Sequence, residues 1–468
     1  MTQLIYLTAD IRRIEEKSGA VSPPLMERAG AAAAELAASL ASERGKDVLV
    51  LAGPGNNGGD AKVVGRVLQE KFFRVSLVSS PRDIPSDVRW GLVVDGLFGI
   101  GLARPVEGDY AKLVALANAQ SCPVLALDVP SGIDSDTGRV LGHAVRATHT
   151  ITFLALKPGL LTLDGPDHCG AVSVAPLGLD VPKLQRPAGW VADPGLFEGA
   201  FKPRPRNFHK GQAGSLAILG GAAGMIGAPL LAGRAALKLG SGKVYLGLLS
   251  EGALPVDPGA PELMLRRADD VLGLDLDAIV AGPGLGGSER AETLLGAAIA
   301  SELPLVLDAD ALNLVAQNED LKAACSKRKA ETLATPHPAE AGRLLNSPAS
   351  EVQADRLRAA KEISRKLNAH VVLKGNGSVM VARDGHWFIN TTGNPGMASA
   401  GTGDVLSGIL GALLAQKYPG ECSLVLGVHL HGSAADALVR DGIGPVGLTA
   451  GELIDPARRI WNSWLDGR

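Results

Sequence analysis

A single carboxylate, Asp404, lies among glycines and other small residues in "TTGNPGMASAGTGDVLSGILGALLAQ", residues 391–416. Apolar residues then recur every three to four positions, which predicts a helix that begins near Asp404. The first turn of such a helix offers free N–H groups and a positive dipole end, and small residues let an anion approach. A carboxylate there is either an N-cap or a base beside a transferring phosphoryl group. Several other glycine loops in the chain favour the base.

Polar side chains also follow three apolar runs in the first half of the chain. "AGPGNNGGD" carries Asn57 and Asp60, "VVDGLFGIG" carries Asp95, and "LDVPSGID" carries Asp128 and Ser131. One carboxylate at a strand end is often only a cap. The carboxyl ends of parallel strands meet at one edge of a sheet, so we expect these groups to converge into a site there.

The second half repeats this arrangement. The glycine loop "GPGLGG" (282–287) follows an apolar run, as do Asp308 and Asp310, and His337 stands between prolines before a helical pattern. The turn around Lys374 in "VVLKGNGSVM" either holds a nucleotide phosphate or ribose or is a plain hairpin turn.

These groups must be positioned by alternating strands and helices. The predicted helices of the first half are 25–41 and 60–71, and its predicted strands are 46–53, 74–80, 90–99 and 122–132. Continuous Val/Leu/Ile runs between helices predict parallel sheets buried on both faces. Residues 178–208 are rich in Pro, Gly and charge, so we predict two domains, 1–200 and 205–468.

Composition excludes several classes of protein. The 468 residues are 46% hydrophobic and 20% charged with a net charge of −3, which disfavours disorder and binding to nucleic acid or an anionic membrane. The four cysteines form no C-x-x-C pair, which fits a reducing cytosol. The uncharged run 211–233 could span a bilayer, but its glycines and Pro229 favour a strand, a loop and a helix. We expect a cytoplasmic homo-oligomer that binds neither nucleic acid nor membranes.

The motifs "LMERAG", "GPGNNGGD", "VVDGLFGIG" and "LDVPSGID" together resemble the NAD(P)H-hydrate epimerase domain over roughly residues 1–200. The resemblance implies a Rossmann-like, three-layer domain that interconverts the R and S epimers of hydrated NADH or NADPH at ring carbon 6. It implies a potassium ion held by Asn57, Asp95 and Ser131, and hard oxygen ligands suit that cation. It also implies an acid/base role for Asp128. Ala61 stands where this family usually has glycine.

The substrate contacts implied by this resemblance come from two loops and one strand end. They are Asn56, Asn57, Gly58, Gly59, Asp60, Gly99, Ile100, Gly101, Leu102, Ala103, Arg104, Pro105 and Asp128.

The motifs "GPGLG", "DADALN", "TPHPAE", "VLKG" and "GNPGMASAGTGDVLSG" resemble the ADP- or ATP-dependent NAD(P)H-hydrate dehydratase, a ribokinase-like α/β domain, over roughly residues 205–465. The resemblance implies that the hydrated dinucleotide is bound by Ala228, Gly284, His337 and Asp404. It implies that the nucleotide is bound by Lys374, Gly375, Asn376, Gly377, Ser378, Asn394, Gly401, Thr402 and Gly403. Fused bacterial members of this type generally use ADP.

Together the halves resemble the bifunctional NAD(P)H-hydrate repair enzymes. The implied reaction starts when Asp404 deprotonates the hydroxyl at ring carbon 6. The terminal phosphoryl of ADP is transferred with Mg2+, and loss of phosphate restores NAD(P)H and leaves AMP. Two rival interpretations stay open. The second half could be a small-molecule kinase for a vitamin or sugar, and the first half could be a non-catalytic binding domain.

Overall fold

Two α/β units make up the chain in the computed structural model, which describes residues 3–19, 21–42, 45–201, 203–252 and 255–466. The first unit spans Gln3–Trp190 and the second begins at Val191. The division falls inside the Pro- and Gly-rich stretch 178–208, upstream of the predicted end of the first domain at residue 200.

The first unit is built on a six-stranded sheet of order β3-β2-β4-β5-β6-β7, in which all neighbouring strands are parallel. Its elements are β1 (Leu4–Ile5), α1 (Thr8–Ser18), α2 (Leu25–Ser42), β2 (Asp47–Ala52), α3 (Asn56–Glu70), β3 (Arg74–Val78), β4 (Leu92–Gly96), α4 (Gly108–Asn118), β5 (Val124–Leu127), β6 (His149–Phe153), α5 (Gly165–Cys169), β7 (Ala171–Ala175), α6 (Val181–Leu184) and β8 (Gly189–Val191). The apolar residues of the inner strands β2, β4 and β5 are buried on both faces, as their continuous Val/Leu/Ile runs predicted, whereas the edge strands β3 and β7 are partly exposed.

Helix α3 begins earlier than the sequence indicated. The predicted helix starts at residue 60, whereas the structure starts it at Asn56 with Gly55 as the N-cap. Asn57 and Gly58 are buried in its first turn. Asparagine and glycine are poor helix formers, but packing of α3 on α2 and β2 overrides that preference. Asp60 therefore lies inside the helix and does not cap it.

The second unit contains a sheet of order β17-β16-β15-β14-β13-β12-β9-β10-β11. Pairing is parallel from β15 to β11 and antiparallel along β15, β16 and β17. The elements are β9 (Ser215–Gly220), α7 (Gly227–Lys238), β10 (Lys243–Leu248), β11 (Met264–Arg267), β12 (Ala278–Ala281), α8 (Glu289–Ala300), β13 (Leu305–Leu307), α9 (Ala309–Gln317), α10 (Glu319–Ser326), β14 (Thr332–Ala334), α11 (Pro338–Leu345), α12 (Ala349–Ala354), α13 (Arg356–Leu367), β15 (His370–Leu373), β16 (Ser378–Val381), β17 (Trp387–Asn390), α14 (Thr402–Ala415), α15 (Gly420–Arg440) and α16 (Ile454–Leu465).

Helix α14 confirms the helix predicted near Asp404. It begins at Thr402, with Gly401 as an N-cap in the left-handed region at φ 89°, and Asp404 is its third residue. Every residue from 405 to 415 is buried, and the helix packs on β12, α7 and α15. The N-terminal turn is therefore held by the core of the unit.

Two apolar segments bear on a membrane interpretation. The run 211–233 forms β9 and the start of α7, as predicted. Helix α15 is long and apolar enough to cross a membrane by length and composition, and it is the one such helix found in the described residues. Of its most apolar window, 72% is buried inside the protein, which is typical of a core helix.

Candidate active sites

A cavity of about 580 Å³ opens at the carboxyl end of the first sheet. Eight of the residues predicted to contact substrate line this cavity: Asn56, Asn57, Asp60, Gly99, Ile100, Gly101, Leu102 and Asp128. The other five, Gly58, Gly59, Ala103, Arg104 and Pro105, lie outside the lining. The cavity is also lined by Arg12 and Glu15 of α1, which the sequence interpretation did not include.

Asp128 is fixed at the cavity wall by a buried lysine. The Lys157 side chain is 0% exposed, and its Nζ donates to Asp128 Oδ1 at 2.5 Å, to Thr152 Oγ1 at 2.8 Å and to the Phe153 carbonyl at 2.8 Å. All three ammonium hydrogens are thereby used. The sequence interpretation missed Lys157, although a lysine inside the apolar run "ITFLALKPGLL" is an unusual residue that could have signalled it.

The carboxyl groups at this cavity have different environments. Burial, with the charges of Asp128 and Glu15, raises the pKa of Asp60 to about 8. Burial followed by the charge of Asp128 also raises the pKa of Glu15. Asp60 therefore carries a proton at neutral pH, whereas Asp128 has a cationic partner. The protonated Asp60 can therefore act as a proton donor at this cavity.

Asp95, near the end of β4, and Ser131, which follows the neighbouring strand β5, are brought together. Asp95 Oδ1 accepts from Ser131 Oγ at 2.6 Å and Oδ2 accepts from the Ser131 N–H at 2.8 Å. Burial raises the pKa of Asp95 to about 6, although these hydrogen bonds oppose the shift.

The Asn57 side chain makes no hydrogen bond to Asp95 or to Ser131. Its side-chain Oδ1 and Nδ2 are buried and have no hydrogen-bond partner among the described residues. A Cβ built on Gly99 would lie 3.2 Å from Asp128 Oδ2 and 3.3 Å from Asn57 Cγ, so both side chains border the same small space. An orphaned buried amide that borders the same space as a carboxylate oxygen fits a hard cation.

Asp404 dominates the second site. Its carboxyl group accepts no hydrogen bond within the described part of the chain, and Gly401 rather than Asp404 occupies the cap position. The N-cap alternative for Asp404 is therefore wrong. Burial, followed by the charge of Asp308, raises the pKa of Asp404 to about 6. The carboxylate is mostly ionised at neutral pH and is free to accept a proton.

Asp308 is buried in this site and accepts hydrogen bonds from three side chains. It accepts hydrogen bonds from Thr335 Oγ1 at 2.6 Å, from Ser407 Oγ at 2.7 Å and from Lys374 Nζ at 3.0 Å. Burial alone would raise the pKa of Asp308, but the Lys374 charge and these hydrogen bonds hold it below its usual value. The sequence placed Asp308 at a strand end, but neither Thr335 nor Ser407 was identified.

Lys374 points toward the first turn of α14. A Cβ at Gly403 would lie 3.3 Å from Lys374 Nζ. Lys374 follows β15 and Asp308 follows β13, so the parallel strands bring the ammonium group and the Asp308 carboxylate together at one edge of the sheet, beside the N-terminus of α14. The site thus combines a helix N-terminus, the unpaired Asp404 carboxylate and the ion pair between Lys374 and Asp308.

His337 forms a capping box at the start of α11. Its Nδ1 accepts from the Ala339 N–H at 3.1 Å, and Glu340 Oε2 accepts from the His337 N–H at 2.8 Å. Burial, then the charges of Lys374 and Arg343, lowers the pKa of His337, so the ring is neutral at pH 7. Burial raises the pKa of Glu340 to about 7.

The remaining predicted residues lie in loops at the same edge of the sheet. Ala228 is at the start of α7, after β9, and Gly284 follows the adjacent strand β12 with φ 59°. These two loops contact each other, since the Gly284 carbonyl accepts from the Ala222 N–H at 2.7 Å.

The predicted nucleotide residues form two tight segments. Residues 374–377 form the turn between the antiparallel strands β15 and β16, a geometry that both alternatives for this turn share, and Ser378 Oγ donates to the Gly375 carbonyl at 3.0 Å. Asn394 caps a short 3-10 helix through the Gly396 N–H, and Thr402 Oγ1 donates to the Met397 carbonyl at 3.1 Å. Both segments expose backbone groups through small residues, as phosphate binding requires.

Known proteins match both units. The family described as NAD(P)H-hydrate dehydratase matches residues 216–456, and the YjeF-related protein N-terminus matches residues 22–92 and 83–159. The bifunctional NAD(P)H-hydrate repair enzyme Nnr of Escherichia coli is 37% identical over 98% of this chain and 94% of its own length. The enzyme of that name from Coxiella burnetii is 36% identical over 98% of this chain and 99% of its own.

Solved structures match the second unit. The ADP/ATP-dependent NAD(P)H-hydrate dehydratase of Bacillus subtilis, co-crystallised with ATP/Mg2+, is 33% identical with a TM-score of 0.51 over 57% of this chain and 96% of its own. A ribokinase-like superfamily protein from Enterococcus faecalis is 26% identical with a TM-score of 0.51 over 58% and 95%. These matches confirm the predicted fold of this unit.

The fold and the two sites define a two-unit α/β enzyme whose second unit is ribokinase-like. Its relatives match both units over nearly their full lengths. The chain belongs to the bifunctional NAD(P)H-hydrate repair enzymes, as the resemblance of its motifs implied.

Proposed function

We propose that this enzyme repairs hydrated NADH and NADPH in two reactions. Residues 1–200 interconvert the R and S hydrates, and residues 205–468 dehydrate the S hydrate back to NAD(P)H while ADP is converted to AMP and phosphate. The relatives named above, two bifunctional NAD(P)H-hydrate repair enzymes and one ADP/ATP-dependent NAD(P)H-hydrate dehydratase, support this proposal. The single observation that supports the dehydration step best is the free Asp404 carboxylate in the first turn of α14.

The dehydration mechanism assigns one step to that carboxylate. Asp404 removes the proton from the hydroxyl at ring carbon 6, and the oxygen attacks the terminal phosphoryl of ADP. The N–H groups of the α14 N-terminus and the Lys374 ammonium stabilise the charge on the transferred group. Phosphate then leaves carbon 6 and carbon 5 loses a proton, which restores the dihydropyridine ring.

The remaining residues bind the two ligands. Ala228, Gly284, His337 and Asp404 contact the hydrated dinucleotide in this proposal. The nucleotide is contacted by Lys374, Gly375, Asn376, Gly377, Ser378, Asn394, Gly401, Thr402 and Gly403. Their location in loops at one sheet edge supports this division.

The epimerisation takes place in the cavity of the first unit. Asp128 serves as the acid/base at ring carbon 6, held in place by Lys157. Asn56, Asn57, Asp60, Gly99, Ile100, Gly101 and Leu102 contact the substrate. Gly58, Gly59, Ala103, Arg104 and Pro105 are proposed as contacts on the resemblance alone, since they lie outside the cavity lining.

Two cations complete the proposal. Potassium would be held by Asn57, Asp95 and Ser131, and the unpartnered Asn57 amide supports this assignment. Such an ion would order the loops around the substrate. Mg2+ would offset charge on the phosphates of the nucleotide in the second unit. From the sequence we also propose that the protein is a cytoplasmic homo-oligomer that binds neither nucleic acid nor membranes.

A mixture of R and S hydrates tests both reactions at once. Without nucleotide we expect the epimers to equilibrate; with ADP we expect all hydrate to be consumed with release of phosphate and recovery of absorbance at 340 nm. ATP in place of ADP measures the donor preference. A stable phosphorylated product would instead establish the kinase alternative, and a fixed epimer ratio in the presence of potassium would establish a non-catalytic first unit.

A further inference from the structure

Arg356 is a buried cation that the proposed reaction does not use. It is the first residue of α13 and is 2% exposed. Its Nη1 donates to Gln353 Oε1 at 2.7 Å and its Nη2 donates to the Leu373 carbonyl at 3.1 Å. Its Nε has no hydrogen-bond partner among the described residues. No carboxylate in the described part of the chain pairs with this guanidinium.

Arg328 shows how this protein otherwise buries an arginine. Arg328 donates to the carbonyl oxygens of Ile299, Ser301 and Leu303 and to the Thr332 hydroxyl. Those dipoles surround its charge and stabilise it without an acid. Arg356 has one carbonyl and one amide oxygen, so its charge is far less compensated.

The guanidinium of Arg356 lies against the turn that joins β15 to β16. A Cβ on Gly375 would lie 2.6 Å from Nη1 and 2.8 Å from Nη2 of Arg356, and Gly375 has φ 148°. Glycine at this position is therefore required for the guanidinium to reach the backbone of the turn.

Of the two cations at this turn, Arg356 is the one without an acidic partner in the described part of the chain. Lys374 is the other cation there, and its ammonium is paired with Asp308 at 3.0 Å. Screening by solvent is weak for a group as buried as Arg356, so its field acts over several ångströms. An anion bound on the outer side of the turn would compensate the positive charge of Arg356, for which the described part of the protein provides no acidic partner.

We propose that Arg356 gives the 374–378 turn its affinity for the phosphate of a bound nucleotide. Arg356 acts through the turn, so it is a positioning residue and does not touch the ligand. The inference rests on the proposed function in one respect, the assignment of this turn to nucleotide binding. It adds that recognition of phosphate here depends on a buried charge as well as on backbone amides.

Comparing the binding of ADP and of adenosine to the full chain distinguishes a charge effect of Arg356 from a purely structural effect. We expect Arg356→Gln to raise the Kd for ADP about tenfold, the effect of one unit charge roughly 10 Å away at an effective dielectric constant near 20. Adenosine has no phosphate, so its Kd should change less than about twofold. Calorimetry, with competition for the weaker ligand, measures both constants without relying on catalysis.

Arg358→Gln is the matched control. Arg358 lies two residues further along α13, and its side chain is 55% exposed and faces Glu351 and Asp355. Its loss should therefore leave both Kd values unchanged. Arg356→Lys keeps the charge and should bind ADP within about threefold of the parent protein.

Four results would overturn the proposal. Equal weakening of ADP and adenosine by Arg356→Gln would show a purely structural role, and unchanged ADP binding would show no role. If Arg356→Gln does not fold, Arg356→Lys decides, and a tenfold loss of ADP affinity with adenosine binding intact would exclude a charge effect. A parent protein that binds no ADP would refute the nucleotide assignment itself, and the inference would fall with it.

Discussion

The ammonium group of Lys157 lies 2.5 Å from the Asp128 carboxylate at the wall of the first cavity, and both side chains are shielded from solvent. Asp128 has a left-handed backbone, φ 65°, and its other oxygen faces the space beside Gly99. The lysine thus fixes one oxygen of the carboxylate and leaves the other for a ligand. This arrangement makes the geometry of Asp128 dependent on a residue 29 positions along the chain.

Lys157→Met should therefore disable epimerisation. Removing one partner of a buried ion pair costs about 3–5 kcal/mol, and a misplaced acid/base group should lower the epimerisation rate by at least about a hundredfold. Chromatography of the R and S hydrates measures the rate. Lys112→Met, which breaks the exposed pair with Asp109, is the control and should have no effect. Epimerisation at the parent rate by Lys157→Met would contradict the positioning role.

Asp404→Asn should abolish dehydration without affecting epimerisation. Loss of a general base lowers a rate by about 10²–10⁴-fold. The pKa of about 6 adds a pH dependence in the parent protein. A base acts in its ionised form, so the dehydration rate should be constant above pH 7 and fall about tenfold by pH 5. Epimerisation in the same preparation is the control, and a variant that dehydrates the S hydrate normally would exclude Asp404 as the base.

Potassium should stabilise the first unit. At a tenfold excess over its Kd the ion would add about 1.4 kcal/mol, which raises Tm by about 3 °C in a unit of this size. Thermal unfolding in potassium, sodium and choline chloride at equal ionic strength measures the effect. Asn57→Ala should remove it, whereas Asn56→Ala, at the neighbouring exposed position, should retain it. Identical Tm values in all three salts would refute the assignment of the site.

Asp60→Asn should stabilise the protein in a pH-dependent way. Asp60 titrates near 8 in the folded state and near 4 when unfolded, so between these values the folded state holds a proton that the unfolded state releases. Raising the pH from 4 to 8 therefore lowers the free energy of unfolding of the parent protein. The Asp60→Asn side chain does not titrate, so the variant avoids this loss. The Tm should rise by at least about 3 °C at pH 8 and be unchanged at pH 4.

Asp109→Asn is the matched control for that measurement. Asp109 is exposed, and its hydrogen bond with Lys112 lowers its pKa, so the same substitution there should give no gain at pH 8. An Asp60→Asn protein that melts no higher than the parent at pH 8 would show that Asp60 is not protonated in the fold.

The sequence predicted the α/β fold and the general position of both sites because strand ends can be identified locally. Asp95 and Asp128 lie at the ends of strand patterns and Asp404 lies at the start of a helix pattern, and a few neighbouring residues specify each of these patterns. The parallel connection rule then brings such strand ends to one edge.

Residues whose role depends on long-range packing were not predicted. Lys157 and Arg356 are buried cations, and although the apolar run around Lys157 is a signal of burial, the hydrogen-bond partners of both residues can be identified only from the folded structure. Thr335 and Ser407 meet at Asp308 from sequence separations of 27 and 99 residues. The start of α3 at Asn56 was missed for the same reason, since tertiary packing outweighs the weak helix preference of its first residues.

The burial of helix α14 limits which residues can be substituted to change the enzyme's preference for a phosphoryl donor. Buried residues surround the helix from Val405 to Ala415, so changes there would disturb the core before they altered ligand preference. Libraries aimed at a different donor should vary the 374–378 turn and the 391–400 segment, which present exposed positions to the same site. Selection from such libraries would change donor choice while the helix N-terminus, and with it the reaction chemistry, stays constant.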